Sequence, residues 1–104
     1  MPAFVDLNGA SGAIYRFRLA PGGQVSTPIA GNYVCVRDDA AGFTVLSVAA
    51  TNDLSDAQAA WKLAAAKHGA THLYTRLNVS LSARETEQRD IAAYYKPRLN
   101  PQTA

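Results

Sequence analysis

The sequence predicts a small α+β domain: a mixed sheet that contains an antiparallel hairpin, with two helices packed on it. Three observations predict it. Residues 13–19, "AIYRFRL", alternate apolar and charged side chains with the period of a half-buried strand. Residues 32–48 read as strand, turn, strand: "NYVCVR", "DDAAG", "FTVLSV". Two later segments carry helix-start signatures, a serine followed three residues on by Gln or Glu.

Taken in order, "NGASG" (8–12) is turn chemistry. The strand over 13–19 then puts Tyr15, Phe17 and Leu19 on one face and Arg16 and Arg18 on the other. "APGGQVSTPIAG" (20–31) holds two prolines and three glycines and reads as a loop. The hairpin strands follow over 32–37 and 43–48. If Arg37 and Phe43 flank the turn, Tyr33 lies opposite Ser47 on one sheet face. Ser55 and Gln58 form a capping box that opens an alanine-rich helix. That helix reaches His68 and stops at Gly69, a residue suited to a left-handed cap. "THLYTRL" (71–77) returns to a strand pattern, and Ser82 with Glu85 opens a last helix. The helix runs to about Tyr95, because the residue before Pro97 avoids helical geometry. The expected order is β-β-β-α-β-α, one domain over 1–104, with no repeat or linker.

Hydrophobic residues make up 48% of the 104 and charged residues 17%, a composition that forms a core and excludes intrinsic disorder. No apolar run approaches the ~20 residues of a membrane helix, and the first residues lack the basic start and apolar stretch of a signal peptide, so a cytoplasmic location and no membrane partner are expected. One cysteine, Cys35, precludes an internal disulfide and a cysteine metal cluster. Residues 1–56 carry three cations against five carboxylates, and residues 57–104 carry seven against three. The basic half suits phosphates, although a solvated surface is the plainer reading. Within it, Arg84, Arg89, Lys96 and Arg98, with Lys62, are the candidate nucleic-acid contacts.

Arg84, Gln88, Ile91 and Tyr95 share one stripe of the last helix, polar first and then apolar. Such a helix has its first half at the rim of a groove and its second half in the core. "GNY" (31–33) opens a strand, "VLSVAATNDL" (45–54) runs from strand to helix, and "HGATH" (68–72) leads into the next strand. Arg84 is then followed by an inward position at 88 and by "PRLN" at 97–100. This ordered set resembles the GIY-YIG endonuclease superfamily, especially its short bacterial single-domain members. The resemblance covers most of the chain, and "GASGAIYRF" (9–17) looks like the strand that precedes the GIY segment in those members.

The resemblance implies a domain that cleaves a DNA backbone with one divalent metal ion. A glutamate on the last helix holds the ion, while tyrosines of the two motifs and an arginine of the first helix act on water and phosphate. The ion is a Lewis acid and template, and the cation offsets charge developing on phosphate. Residue by residue, the first tyrosine falls on Tyr33 and is retained, with Asn32 in the middle of its motif. The second falls on Ser47 and its glycine on Ala49. The arginine falls on Ala57, and a histidine often found one turn later falls on Trp61. The metal-binding glutamate falls on Gln88. Arg84, Pro97 and Asn100 match retained positions.

A neutral amide is a poor ligand for Mg²⁺, and losing one electrostatic donor costs roughly 10²–10³ in rate. The resemblance therefore implies a catalytically degenerate domain without DNA cleavage and without a cofactor, retaining weak, backbone-directed nucleic-acid binding. Tyr33 also reads simply as a sheet-face tyrosine. Two alternatives stand beside this. One is a protein-interaction or regulatory module reusing the fold, motivated by Trp61 and the Tyr94–Tyr95 pair. The other is a divergent metal-dependent endonuclease, with Mg²⁺ and a rearranged site on Tyr33, Glu87 and Asp90.

Overall fold

The computed structural model describes residues 3–100. It is α+β, as the sequence predicts, with five strands and two helices. The strands are β1 (Phe4–Asn8), β2 (Ile14–Ala20), β3 (Gly31–Asp39), β4 (Gly42–Thr51) and β5 (His72–Leu77). The helices are α1 (Ala57–His68) and α2 (Leu81–Tyr95), with 3₁₀ turns at Pro21–Gly23 and Leu54–Asp56. The strand missing from the expected order is β1. Its inward pair, Val5 and Leu7, is only two residues long, and Phe4 lies on the outer face and 51% exposed.

The strands form one sheet in the order β1-β2-β5-β3-β4. The antiparallel pairing expected of the hairpin extends to all four strand pairs. β2 and β3 are both antiparallel to β5, so they run parallel to each other on either side of it. Residues 21–30 must therefore cross over β5. The crossing is tight: Gly23 has φ 72° and lies against the Trp61 ring, so closely that a Cβ there would overlap the indole. Trp61 is thereby packed into the fold, and Val25 joins the core beneath it.

Each sheet face carries a core. Leu7, Phe17, Val34, Val36, Val45, Val48 and Tyr74 meet Ile91 of α2 on one face. Ala20, Cys35, Leu46 and Leu73 meet Ala57 and Ala64 of α1 on the other. A bulge makes this division possible. Cys35 pairs with Ser47 and Val36 with Val45, which leaves Leu46 as the extra residue of β4. Leu46 joins the α1 side, while Val45 and Val48 stay on the α2 side.

The register of the hairpin departs from expectation. Arg37 pairs with Thr44 and Tyr33 with Ala49, not with Ser47. The turn is shorter than "DDAAG", because Asp39 and Gly42 still pair across it; that shifts the register by one residue. The bulge at Leu46 shifts it by another. Two shifts restore the side-chain parity, so Ser47 still shares a face with Tyr33.

The helix starts also move. Asp53, not Ser55, caps the turn leading into α1, accepting from Ser55 N at 2.9 Å and Ser55 Oγ at 2.6 Å. A carboxylate is the stronger acceptor, so the chain begins to coil earlier. Ser80, not Ser82, caps α2, accepting from Ala83 N at 3.3 Å. Asn78 is tied to Ala30 O and to Asn32, which ends β5 and leaves Ser80 in extended geometry as the cap. The expected stops hold: Gly69 is left-handed at φ 74°, and α2 ends at Tyr95, with Lys96 left-handed before Pro97.

Candidate functional site: a groove beside the β4 edge

β4 is an edge strand, and the chain after α2 closes part of its outer side. Leu99 N donates to Leu46 O at 3.1 Å, using the carbonyl that the bulge leaves free. The Asn100 side chain then imitates a neighbouring strand. Its Oδ1 accepts from Val48 N at 2.9 Å, and its Nδ2 donates to Val48 O at 2.8 Å. Gln88 Nε2 donates to the same carbonyl at 3.2 Å. Paired in this way, the edge is blunted against another strand.

A groove of about 540 Å³ opens beside this edge. Tyr33 and Ser47 come from the sheet, Leu63, Lys67 and His68 from α1, Gln88 from α2, and Leu99 and Asn100 from the closing segment. Of the positions that the resemblance matches to the catalytic tyrosines, arginine and glutamate, Tyr33, Ser47 and Gln88 thus meet at one groove. Ala57 does not; it is fully buried against the sheet.

No carboxylate is among the residues lining the groove, and Lys67 gives it a positive charge beside the His68 imidazole. Burial is the main cause that raises the Tyr33 hydroxyl above the ordinary tyrosine range, with Cys35 and Asp56 adding to it. Burial likewise pushes the Cys35 thiol up, against a smaller opposing effect of the Ser47 hydroxyl. Both groups are therefore protonated at neutral pH: Tyr33 is a hydrogen-bonding hydroxyl, and Cys35 is an inert buried thiol.

The divalent ion of the resemblance fits these residues poorly. Gln88 is neutral, and its amide nitrogen is committed to Val48 O. Among the described residues, no three of His, Cys, Asp and Glu gather as a ligand set.

Of the candidate phosphate contacts, Lys62, Arg89, Lys96 and Arg98 are exposed, and none of them lines the groove. Arg84 is 5% exposed. Its Nη1 donates to Val79 O at 3.0 Å and its Nη2 to Asn52 Oδ1. Its carbonyl accepts from Nδ2 of the fully buried Asn32 at 2.9 Å. Glu87 and Asp90 lie away from Tyr33. Glu87 pairs with Arg76 Nε at 2.8 Å. Asp90 accepts from Ser11 N, Ser11 Oγ and Tyr15 OH at 2.8, 2.6 and 2.7 Å, pinning the β1–β2 turn to α2. Tyr95 OH accepts from Asn8 N at 3.0 Å, while Tyr94 is 52% exposed.

Sequence reasoning missed Lys67 and His68 as groove residues. Their signal was the stripe Ala60, Leu63, Ala64, Lys67 at helical spacing, which follows one face of α1 toward its cationic end. No helix among the described residues is long and apolar enough to cross a membrane. Comparison of the chain with protein-family models, with curated proteins and with solved structures finds no match.

Proposed function

We propose that the domain is a degenerate GIY-YIG-like module that binds a nucleic-acid backbone in the groove beside β4 and does not cleave it. The observation that supports this most is the lining: Tyr33, Ser47 and Gln88 face Lys67 and His68 with no carboxylate among them. Such a groove favours an anion and offers neutral hydrogen-bond donors to its oxygens. It supplies no charged metal ligand and no ionised nucleophile, which is why the reading stops at binding.

The experiment is oligonucleotide binding across a salt series, with duplex and single-stranded probes, beside a cleavage assay in Mg²⁺ and Mn²⁺. The expected result is binding that weakens steeply with salt, is reduced by Lys67→Ala, and leaves the oligonucleotide intact. Absence of binding at low salt overturns the reading. Cleavage lost in Tyr33→Phe would instead favour the divergent endonuclease.

A second reading has its own observation. Ile29, Leu77, Val79 and Leu81 are 42%, 62%, 75% and 58% exposed. They cluster where β5 leaves the sheet, since Asn78 N is bonded to Ala30 O. Apolar exposure of this kind marks protein contact surfaces. A protein partner retained by the wild type and lost on Val79→Ser with Leu81→Ser would support an interaction module.

A further inference from the structure

Backbone binding uses Lys67 and the neutral donors of the groove and leaves most of its wall idle. Val48, Ala49, Ala60, Leu63, Ala64 and Leu99 line it as well. Leu63 is 56% exposed there, apolar surface left to water. A phosphate gains nothing from such a wall, because its oxygens need charge and hydrogen bonds. The volume of about 540 Å³ falls in the roughly 300–1,000 Å³ range of small-molecule sites, which set a few placed polar groups among apolar walls.

The polarity of two of those groups is fixed. Val48 O can only accept, so Gln88 turns its amide nitrogen to it and its Oε1 away. Tyr33 is half-buried and stays protonated, since burial raises its hydroxyl. Neither Gln88 Oε1 nor Tyr33 OH has a partner among the described residues. Neither is sealed from solvent, because the buried side-chain atoms without a partner are Trp61 Nε1 and Tyr74 OH, both outside the groove. The groove therefore presents one free acceptor and one free hydroxyl among apolar side chains.

We propose that the groove admits an unpaired nucleobase of a single strand. Gln88 Oε1 accepts from a base N–H, Tyr33 OH donates to the neighbouring carbonyl or ring nitrogen, and Lys67 holds the adjoining phosphate. The faces of the base cover the apolar wall at Leu63 and Leu99. This rests on the nucleic-acid reading of the groove and names the part of the ligand that enters it. An unstacked base offers its pairing edge to such groups. In a duplex that edge is occupied, and freeing it costs unstacking and unpairing, so the groove selects a single strand.

Three single-stranded octamers with the same phosphates test this: oligothymidine, its N3-methylated form and an abasic strand. Thymine is the sharpest probe because its only N–H is at N3. The wild type should bind oligothymidine about tenfold tighter than the abasic octamer, and N3-methylation should remove most of that gain. Counterion release is equal for the three, so the ratio should persist across a salt series. Tyr33→Phe removes a hydroxyl that bonds nothing in the fold, and it should narrow the ratio. Leu63→Ser, at an exposed position, should weaken oligothymidine and spare the abasic octamer. Lys67→Ala should weaken all three alike and keep the ratio.

Equal affinity for oligothymidine and the abasic octamer overturns the proposal and leaves backbone binding standing. Equal affinity for oligothymidine and its N3-methylated form also overturns it, since Gln88 Oε1 then accepts nothing. If thymidine 5′-monophosphate binds as tightly as the octamer, the occupant is a free nucleotide and the single-strand proposal falls. A base preference without salt dependence keeps the base site and removes the backbone reading. No binding of any octamer at low salt removes both.

Discussion

The role of Gln88 is open to a direct perturbation, the substitution Gln88→Glu that restores the carboxylate expected from the resemblance. The geometry predicts that it destabilises the fold. Gln88 Nε2 donates to Val48 O, which also accepts from Asn100 Nδ2. An ionised carboxylate cannot donate. The substitution loses a hydrogen bond worth about 1 kcal/mol and sets an anion against a carbonyl oxygen in a half-buried position, at about 1–2 kcal/mol more. Lys67 lines the same groove and returns about 0.2–1 kcal/mol, little because it is exposed. The net loss is about 2 kcal/mol, or about 8–16 °C in melting temperature for a domain of this size.

The pH dependence carries the sign. The protonated carboxyl can donate to Val48 O, so its pKa in the folded protein is raised above the unfolded value near 4.3. The contribution of that bond is present below the unfolded pKa and lost as pH rises through the folded one. Denaturant melts of Gln88→Glu and wild type at matched pH should therefore differ at pH 7 and converge toward pH 4. Equal stability at pH 7, with a difference that does not change with pH, would refute the assignment of Gln88 as an edge donor.

Three other outcomes follow from the same contacts. Asn100→Ala removes both side-chain bonds to Val48 and should cost about 1–3 kcal/mol, with faster hydrogen exchange at the Val48 amide. Gly23→Ala forces a Cβ into the Trp61 ring at a positive φ and should cost about 1–3 kcal/mol by calorimetry. Asp90 is held below the usual carboxylate range, chiefly by Ser11 Oγ and then by Tyr15 and Ser11 N. Its contribution is present above the unfolded pKa and lost as pH falls through the lowered folded pKa. The stability difference between wild type and Asp90→Asn should shrink below about pH 4, and a difference that grows there would contradict the pinning role.

The parts legible in the sequence were those set by local chemistry. The alternation of Tyr15, Phe17 and Leu19 with Arg16 and Arg18 marks β2, and Gly69 and Pro97 mark the helix ends, because each depends on its own backbone and near neighbours. The position of β5 between β2 and β3 was not legible, since long-range pairing leaves no trace in local periodicity. The Tyr33–Ala49 register depended on a bulge at Leu46, which is an ordinary apolar residue until its carbonyl meets Leu99 N. The groove was half legible. Tyr33 and Ser47 could be placed on one face from spacing, because two register shifts cancelled in parity, while Gln88 was joined to them only through the resemblance. Ala57 could not be placed, because a first-turn helix residue faces sheet or groove according to the helix's rotation. Arg84 looked like a surface cation; only its burial against Asn52 and Val79 changed that.

The most direct test of backbone binding is amide chemical-shift mapping with a short single-stranded oligonucleotide at low salt. Shifts concentrated at Ser47, Lys67, His68 and Gln88, fading as salt is raised, are expected, with the oligonucleotide recovered intact. Shifts confined to Leu77, Val79 and Leu81, or no shifts at all, would contradict it.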